Sequence, residues 1–170
     1  MISMELLRDA RCVLSPVINL TPMIPAKGFV PDCRFYLKAD CLQKTGAFKL
    51  RGAYYKLSTL TDEEKARGVI ACSAGNHAQG VAFAARDMGI PATICIPAGA
   101  PLSKIEATRS YGANVVLVPG VYDDAHAEAV ESVFERNFIV VLHRSGRLGL
   151  DPLDRKIEQN SLFHPLVDTP

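Results

Sequence analysis

Apolar residues follow two alternating periods from about Phe35 onward, one typical of strands and the other typical of helices. Compact apolar runs predict strands at FYLKAD, GVIACS, PATICIP, NVVLVP and FIVVLH. Helical spacing predicts helices at residues 47–60, in TDEEKAR, at residues 76–88, in PLSKIEATRSYG and in YDDAHAEAVESVFER. Repeated β-α-β units with such apolar strands predict an α/β fold, in which helices flank an open parallel sheet.

Residues that favour helix ends stand at several of these boundaries. Thr61 opens TDEEKAR and is a preferred N-cap, while Gly89 follows the helix predicted at residues 76–88. Pro101 opens the next predicted helix and Gly112 ends it. These signals support the predicted order of strands and helices.

The two ends of the chain fit this pattern poorly. Residues 1–34 contain one helical segment followed by the Pro-rich stretch TPMIPAKGFVPD, which we interpret as a linker or an arm. After about Leu142, charges, prolines and isolated apolar residues follow one another without a sustained period. We predict an irregular tail there, with room for one short helix near residues 154–160.

Composition excludes several classes of protein. The chain has 170 residues, 48% of them hydrophobic, which is enough for a sizeable core. The formal net charge of +1 gives no footprint for nucleic acid or an anionic membrane, and we expect neither a signal peptide nor a membrane span. Five scattered cysteines lack metal-ligand spacing and are expected to be reduced, mostly packing residues of a cytoplasmic protein.

The first stretch that could carry chemistry is KTGAFKLRGAYYKL, in which Lys49 stands between Phe48 and Leu50. A lysine at the start of an amphipathic helix is usually a surface residue whose stem lies along apolar neighbours. The other interpretation is a nucleophile whose pKa is lowered by desolvation. Arg51 is expected to pair with a nearby acid.

The second stretch is GVIACSAGNHAQGVA, which predicts a strand, a turn of small residues and a helix. Ligands of open parallel sheets bind beyond the carboxyl ends of the strands, where a helix N-terminus favours an anion. Ser73, Gly75, Asn76 and His77 therefore stand where a carboxylate or phosphate would be held. The alternative is that Ser73 or Asn76 only caps the helix.

Together the two motifs resemble the pyridoxal-phosphate enzymes of fold type II, in particular the threonine dehydratases. The resemblance runs from about residue 10 to about residue 142 and is carried by NLTPM, FYLKADCLQKTGAFKLRGAYYKL, GVIACSAGNHAQGVAFAA, GIPATICIPAGAPLSKIEATRSYGA and VYDDAHAEA. It implies that Lys49 forms the Schiff base with pyridoxal 5'-phosphate and that Phe48 packs against the cofactor ring. It also implies that Asn76 hydrogen-bonds the ring's 3-oxygen.

By the same resemblance, the loop of Ser73, Ala74, Gly75, Asn76 and His77 would bind the substrate carboxylate. The expected reaction eliminates water from threonine or serine and gives a 2-keto acid and ammonia. In racemases of this type the corresponding loop resembles Ser-Ser-Gly-Asn-His, and its second serine is the acid–base. Ala74 stands at that position here and has no exchangeable proton. Dehydration is therefore favoured over racemisation, and a homo-oligomer is expected.

The chain also departs from the family. Family members have a run of glycines that cradles the cofactor phosphate, and no two glycines are adjacent here. The resemblance implies an N-terminal arm and incomplete large domain with the lysine at residues 1–51, a small α/β domain at 52–142, and a tail unlike the family at 143–170. We hypothesise that this tail is an out-of-frame reading.

Two interpretations follow from this departure. One is a threonine or serine dehydratase; the other is a catalytically inactive truncated fragment or binding module of that family. Without the rest of a large domain, several apolar side chains in the first 51 residues should be exposed or covered by another chain. The positions concerned are Val13, Leu14, Ile18, Phe35 and Leu37.

Overall fold

The computed structural model describes residues 3–28, 33–136 and 138–141. The helices are α1 (Met4–Leu14), α2 (Lys49–Ser58), α3 (Asp62–Arg67), α4 (Asn76–Asp87), α5 (Leu102–Ser110) and α6 (Tyr122–Arg136). The strands are β1 (Met23–Pro25), β2 (Tyr36–Lys38), β3 (Val69–Cys72), β4 (Ala92–Pro97), β5 (Asn114–Val118) and β6 (Ile139–Val140). Within the described residues there is also one 3₁₀ turn, at Asp40–Leu42.

Four strands form a parallel sheet in the order β5-β4-β3-β6. β3 is buried along its whole length, and its alternate residues enter two apolar cores. Val69 and Ala71 join the core that contains residues of α2, α4 and α5, whereas Ile70 and Cys72 join the core that contains residues of α6. Successive side chains of a strand point to opposite faces, so helices cover both faces of the sheet. The predicted α/β fold is confirmed.

A second, two-stranded antiparallel sheet joins β1 to β2. Met23 pairs with Lys38, and Pro25 pairs with Tyr36. The interpretation of TPMIPAKGFVPD as a linker or arm is therefore incomplete, because this stretch contains β1. FYLKAD forms a strand as predicted, but it lies outside the parallel sheet. All six residues of the two strands are exposed. The alternation of apolar and polar residues that predicts a half-buried strand is therefore not required at β1.

The helix signals of the sequence have clear structural counterparts. Thr61 Oγ accepts a hydrogen bond from the Glu64 N–H, and the Glu64 carboxylate accepts one from the Thr61 N–H, which is a capping box. Gly89 ends the α4 region with a φ of 68°, a left-handed conformation that favours glycine. The helix predicted from residue 47 begins at Lys49 instead.

Burial corrects the expectation about apolar positions in the first 51 residues. Leu37 is exposed as expected, but Leu14 is buried because its helix lies against α2, and Val13, Ile18 and Phe35 are half-buried.

The expectation that the cysteines are mostly packing residues is also corrected. All five cysteines are free thiols, yet only Cys72 and Cys95 are packing residues; Cys12, Cys33 and Cys41 are exposed. Burial raises the pKa of Cys72 to about 12 and that of Cys95 to about 11, so both thiols stay protonated at neutral pH.

The predicted tail from residue 143 onward, with its possible short helix near 154–160, lies outside the described residues. The strand predicted at FIVVLH is present as Ile139–Val140. No helix within the described ranges is long and apolar enough to cross a membrane.

Candidate active site

Lys49 is the first residue of α2, and its environment fits the interpretation as a nucleophile. Leu50 and Leu57 on the same helix are fully buried, which anchors this end of α2 in the core. Lys49 itself is half-buried, and this desolvation lowers its pKa below the ordinary value of 10.5. The Nζ atom lies 4.8 Å from the centroid of the Phe48 ring. The Phe48 side chain is 60% exposed and presents a flat apolar face next to the amine.

A glycine that the sequence analysis did not single out brings α4 against this lysine. A Cβ atom on Gly80 would lie 3.2 Å from the backbone carbon and oxygen of Lys49 and 3.2 Å from the nitrogen of Leu50. Such a distance is tighter than ordinary van der Waals contact, and the atoms it meets are backbone. Gly80 thus allows α4 to approach Lys49 at backbone distance. A glycine in a helix interior was the available sequence signal.

The loop between β3 and α4 holds the second motif at the carboxyl end of a central strand. The Ser73 hydroxyl accepts a hydrogen bond from the Gly75 N–H at 3.2 Å, which tightens the loop. Gly75 occupies the N-cap position of α4 and has no side chain with which to cap the helix. The alternative that Ser73 or Asn76 only caps the helix stays open. The first turn of α4 directs backbone N–H groups toward this loop.

His77 is brought close to Lys49, but its ring is engaged elsewhere. The side chain is buried, and Nε2 lies 3.2 Å from the carbonyl oxygen of Val141. Because a carbonyl only accepts, Nε2 carries the proton and donates it. Burial lowers the pKa of His77, the Lys49 charge lowers it further, and the Val141 hydrogen bond opposes both. The imidazole is thus held neutral at physiological pH.

Asn76 and Ala74 complete the loop. Asn76 is exposed, and its Oδ1 accepts a hydrogen bond from Lys104 Nζ at 3.0 Å, a contact that the sequence did not reveal. Ala74 is half-buried and packs against the core that contains residues of α4. Its methyl group can neither donate nor accept a proton.

Arg51, two residues after the lysine, pairs with an acid as expected. Its Nε lies 2.7 Å and its Nη2 2.8 Å from the two carboxylate oxygens of Asp40. The Thr21 hydroxyl donates to the same carboxylate. The Arg51 guanidinium holds the pKa of Asp40 down at about 2, so this acid is ionised at any physiological pH.

The site offers part of the set of groups that a pyridoxal phosphate cofactor would need. It offers a desolvated amine at Lys49, a side-chain amide at Asn76, and a helix N-terminus for an anion. Groups of these kinds could pair with an aldehyde, a hydrogen-bond acceptor and a carboxylate, respectively.

Comparison with known proteins agrees with this chemistry. The family model described as pyridoxal-phosphate dependent enzyme matches residues 14–152. The L-threonine ammonia-lyase of Thermotoga maritima is 47% identical over 145 residues, which are 84% of this chain and 36% of that protein. The catabolic L-threonine dehydratase TdcB of Staphylococcus aureus is 36% identical over 177 residues, with 97% of this chain and 51% of that protein covered.

Solved structures include both lyases and racemases. Maize serine racemase superposes with a TM-score of 0.76 at 32% identity, over 82% of this chain and 43% of that one. Threonine deaminase isoform 2 from Solanum lycopersicum, in its processed form, gives 0.72 at 36% identity, over 79% of this chain and 40% of that one.

This chain belongs to the family of pyridoxal-phosphate dependent enzymes. Within that family its sequence is similar to the threonine ammonia-lyases, as its motifs indicated. The chain spans 36% and 51% of the length of the two curated relatives. The family match continues to residue 152, ten residues beyond the boundary expected at 142.

Proposed function

We propose that this chain provides the lysine-bearing part of the active site of a pyridoxal-phosphate dependent ammonia-lyase. Its substrate would be threonine or serine, and its products a 2-keto acid and ammonia. The observation that carries the proposal is the half-buried Lys49 amine, whose pKa is lowered by burial and which α4 approaches at Gly80. The loop at residues 73–77 leads into α4, the helix that contains Gly80.

Lys49 is proposed to hold the cofactor through its aldehyde, because the lowered pKa raises the fraction of neutral, nucleophilic amine. When bound, the cofactor supplies an electron sink for the substrate's α-carbon. The exposed Phe48 ring is proposed to pack against the cofactor ring. The Asn76 amide is proposed to bind the ring's 3-oxygen.

The loop residues are proposed to bind the substrate carboxylate. Ser73 and Gly75 form a tight turn, and the first turn of α4 adds N–H donors that favour an anion. His77 would contribute through its place in that turn, since its imidazole donates to Val141. After it is released from the aldehyde, the Lys49 amine would accept the proton from the α-carbon.

Ala74 favours elimination over racemisation in this proposal. A racemase needs a proton donor on the face opposite the lysine, and an alanine methyl group has none. The similarity to the maize serine racemase structure is a similarity of fold. One fold can support both elimination and racemisation, so this similarity does not decide between the two reactions.

The second candidate function is a non-catalytic fragment or binding module. It stays an alternative beside the ammonia-lyase, as the sequence analysis left it. The division into an arm with the lysine at 1–51, a small domain at 52–142 and a tail at 143–170 also stays a prediction. So do assembly into a homo-oligomer and a place in the cytoplasm.

The test is a titration of the purified chain with pyridoxal phosphate, followed by borohydride reduction and peptide mass mapping. We expect a single adduct on Lys49, its loss in Lys49→Ala, and its retention in Lys65→Ala. Lys65 is a suitable control because it makes only a loose 3.5 Å contact with the exposed Asp62. Adducts scattered over surface lysines, or an unchanged adduct yield in Lys49→Ala, would contradict the proposed site.

A second measurement separates the two candidate functions. If Lys49 is the only adduct, keto-acid release from threonine and from serine is then followed in the loaded chain. Release that disappears in Lys49→Ala supports the ammonia-lyase. An adduct on Lys49 without any release supports the non-catalytic fragment.

A further inference from the structure

We propose that Lys104 is a positioning residue that orients the Asn76 amide toward the cofactor; this inference rests on the proposed function. Lys104 Nζ lies 3.0 Å from Asn76 Oδ1. The two residues stand 28 positions apart and belong to different helices, α5 and α4. The contact therefore ties the amide at the start of one helix to a cation on its neighbour.

The direction of this hydrogen bond decides how the amide points. An ammonium group has three donors and no acceptor, so only the amide oxygen can face it. With Oδ1 engaged by Lys104, the Nδ2 group is turned to the other side of the amide. Asn76 is thus presented as a hydrogen-bond donor, which suits an acceptor such as the ring oxygen of the cofactor.

Without the lysine, the amide loses this preference. A rotation of half a turn about the last side-chain bond would place Oδ1 where the donor should be. Two oxygen acceptors would then face each other, which weakens binding because neither can donate. Asn76 is exposed, so solvent alone does not choose between the two orientations.

Lys104 is itself held in place by the packing of α5. Ile105 is 3% exposed and Thr108 is fully buried, so one face of the helix is anchored in the core. The Thr108 hydroxyl donates to the Lys104 carbonyl oxygen at 2.9 Å, and the Lys104 N–H donates to Pro101 at 2.9 Å. The Lys104 side chain is half-buried and rises from this fixed backbone.

The experiment measures the dissociation constant for pyridoxal phosphate by absorbance titration in a set of variants. Lys104→Met keeps the apolar stem and removes the donor, and we expect it to weaken binding by about 3- to 10-fold. Lys104→Arg, which still donates, should recover most of this loss. Arg109→Met removes an equal charge from an exposed position of the same helix and should leave binding within about twofold of wild type.

A double variant separates positioning from direct contact. If Lys104 acts through the amide, Lys104→Met should have no further effect in the Asn76→Ala background. An equal loss in both backgrounds would overturn the inference, because it would mean that Lys104 contacts the cofactor itself or acts only by its charge. Unchanged binding in Lys104→Met would overturn it as well.

A readout without cofactor keeps this inference distinguishable from the proposed function. The side-chain amide signals of Asn76 in the nuclear magnetic resonance spectrum of the cofactor-free chain, assigned by their loss in Asn76→Ala, should shift in Lys104→Met and not in Arg109→Met. Absence of a Lys49 adduct in wild type would sink the proposed function and leave only the contact between Lys104 and Asn76, which the amide signals test by themselves. Unmoved Asn76 signals in Lys104→Met would sink the Lys104 inference alone.

Discussion

At the residue scale, the ion pair between Arg51 and Asp40 fixes the start of the helix that carries Lys49. Both carboxylate oxygens of Asp40 are engaged by the guanidinium, a bidentate geometry that is stronger than a single contact. Lys38 donates to the carbonyl of Thr21, whose hydroxyl also reaches Asp40. The network therefore joins the β1–β2 sheet to α2.

We predict that Asp40→Asn lowers the free energy of unfolding by about 1–3 kcal/mol, because it leaves the half-buried Arg51 without its carboxylate. Chemical denaturation of the two proteins measures the difference. Asp62→Asn is the matched control, since its 3.5 Å pair with Lys65 is solvent-exposed and should change stability by less than about 0.5 kcal/mol. A similar loss in both variants would contradict the assigned role of Asp40.

The same pair predicts how stability depends on pH. Asp40 has a folded-state pKa of about 2, below its ordinary value of 3.8. A carboxylate with a depressed pKa stabilises the fold above its unfolded pKa and loses that contribution as the pH falls through the folded pKa. The stability gap between wild type and Asp40→Asn should therefore be full at pH 6 and close between about pH 4 and pH 2. A gap that stays constant down to pH 2 would contradict the ion pair.

At the element scale, the packing of α2 on α4 decides where Lys49 lies relative to the loop at residues 73–77. Gly80 is the point of closest approach, because a Cβ there would meet backbone atoms of Lys49 and Leu50 at 3.2 Å. Backbone atoms cannot rotate aside as a side chain can. The distance between the two helices is therefore set by the absence of a side chain at Gly80.

We predict that Gly80→Ala lowers the free energy of unfolding by about 1–3 kcal/mol through overpacking, despite the gain in helix propensity. Moving α2 away from α4 should also reduce the yield of the borohydride-trapped adduct on Lys49. Denaturation and peptide mapping measure the two effects. The expected loss is a net value, in which the intrinsic preference for alanine of about 1 kcal/mol already offsets part of the overpacking.

Gly52→Ala is the matched control for this substitution. Gly52 lies in α2, is exposed, and a Cβ on it would meet nothing within 4 Å. The control should gain about 0.5–1 kcal/mol and keep the Lys49 adduct. If Gly80→Ala behaved like Gly52→Ala, the close approach at Gly80 would be refuted.

At the scale of the whole molecule, large apolar side chains are exposed around the β1–β2 sheet. Leu20 is 99% exposed, Met23 57% and Leu37 44%. The parallel sheet, in contrast, is covered by helices on both faces. Exposed apolar surface of this kind favours association, so this end of the molecule is the expected contact between copies.

We predict that the purified chain self-associates as its concentration rises, and that Leu20→Lys or Leu37→Lys shifts the equilibrium toward the monomer. Sedimentation velocity over a range of concentrations measures the shift. Ala66→Lys adds the same charge at an exposed position of α3 and should leave association unchanged. Equal effects of all three substitutions would indicate general charge repulsion in place of a specific apolar contact.

Much of the fold and part of the site could be predicted from local patterns. The β-α-β repeat, the helix ends at Thr61 and Gly89, and the motifs around Lys49 and Ser73 depend on residues close together in the chain. Hydrophobic period, turn chemistry and motif spacing are local properties, so the sequence by itself determined the α/β class, most element positions and the candidate nucleophile.

Tertiary structure alone decided the contacts between distant residues. β1 forms because Met23–Pro25 pairs with Tyr36–Lys38. The His77 ring contacts the carbonyl oxygen of Val141, which is 64 positions away in the chain. The approach of Gly80 to Lys49 and the contact of Lys104 with Asn76 join separate helices. No local period records such pairs, because they form only when the packing of α2, α4 and α5 brings them within hydrogen-bond or van der Waals distance.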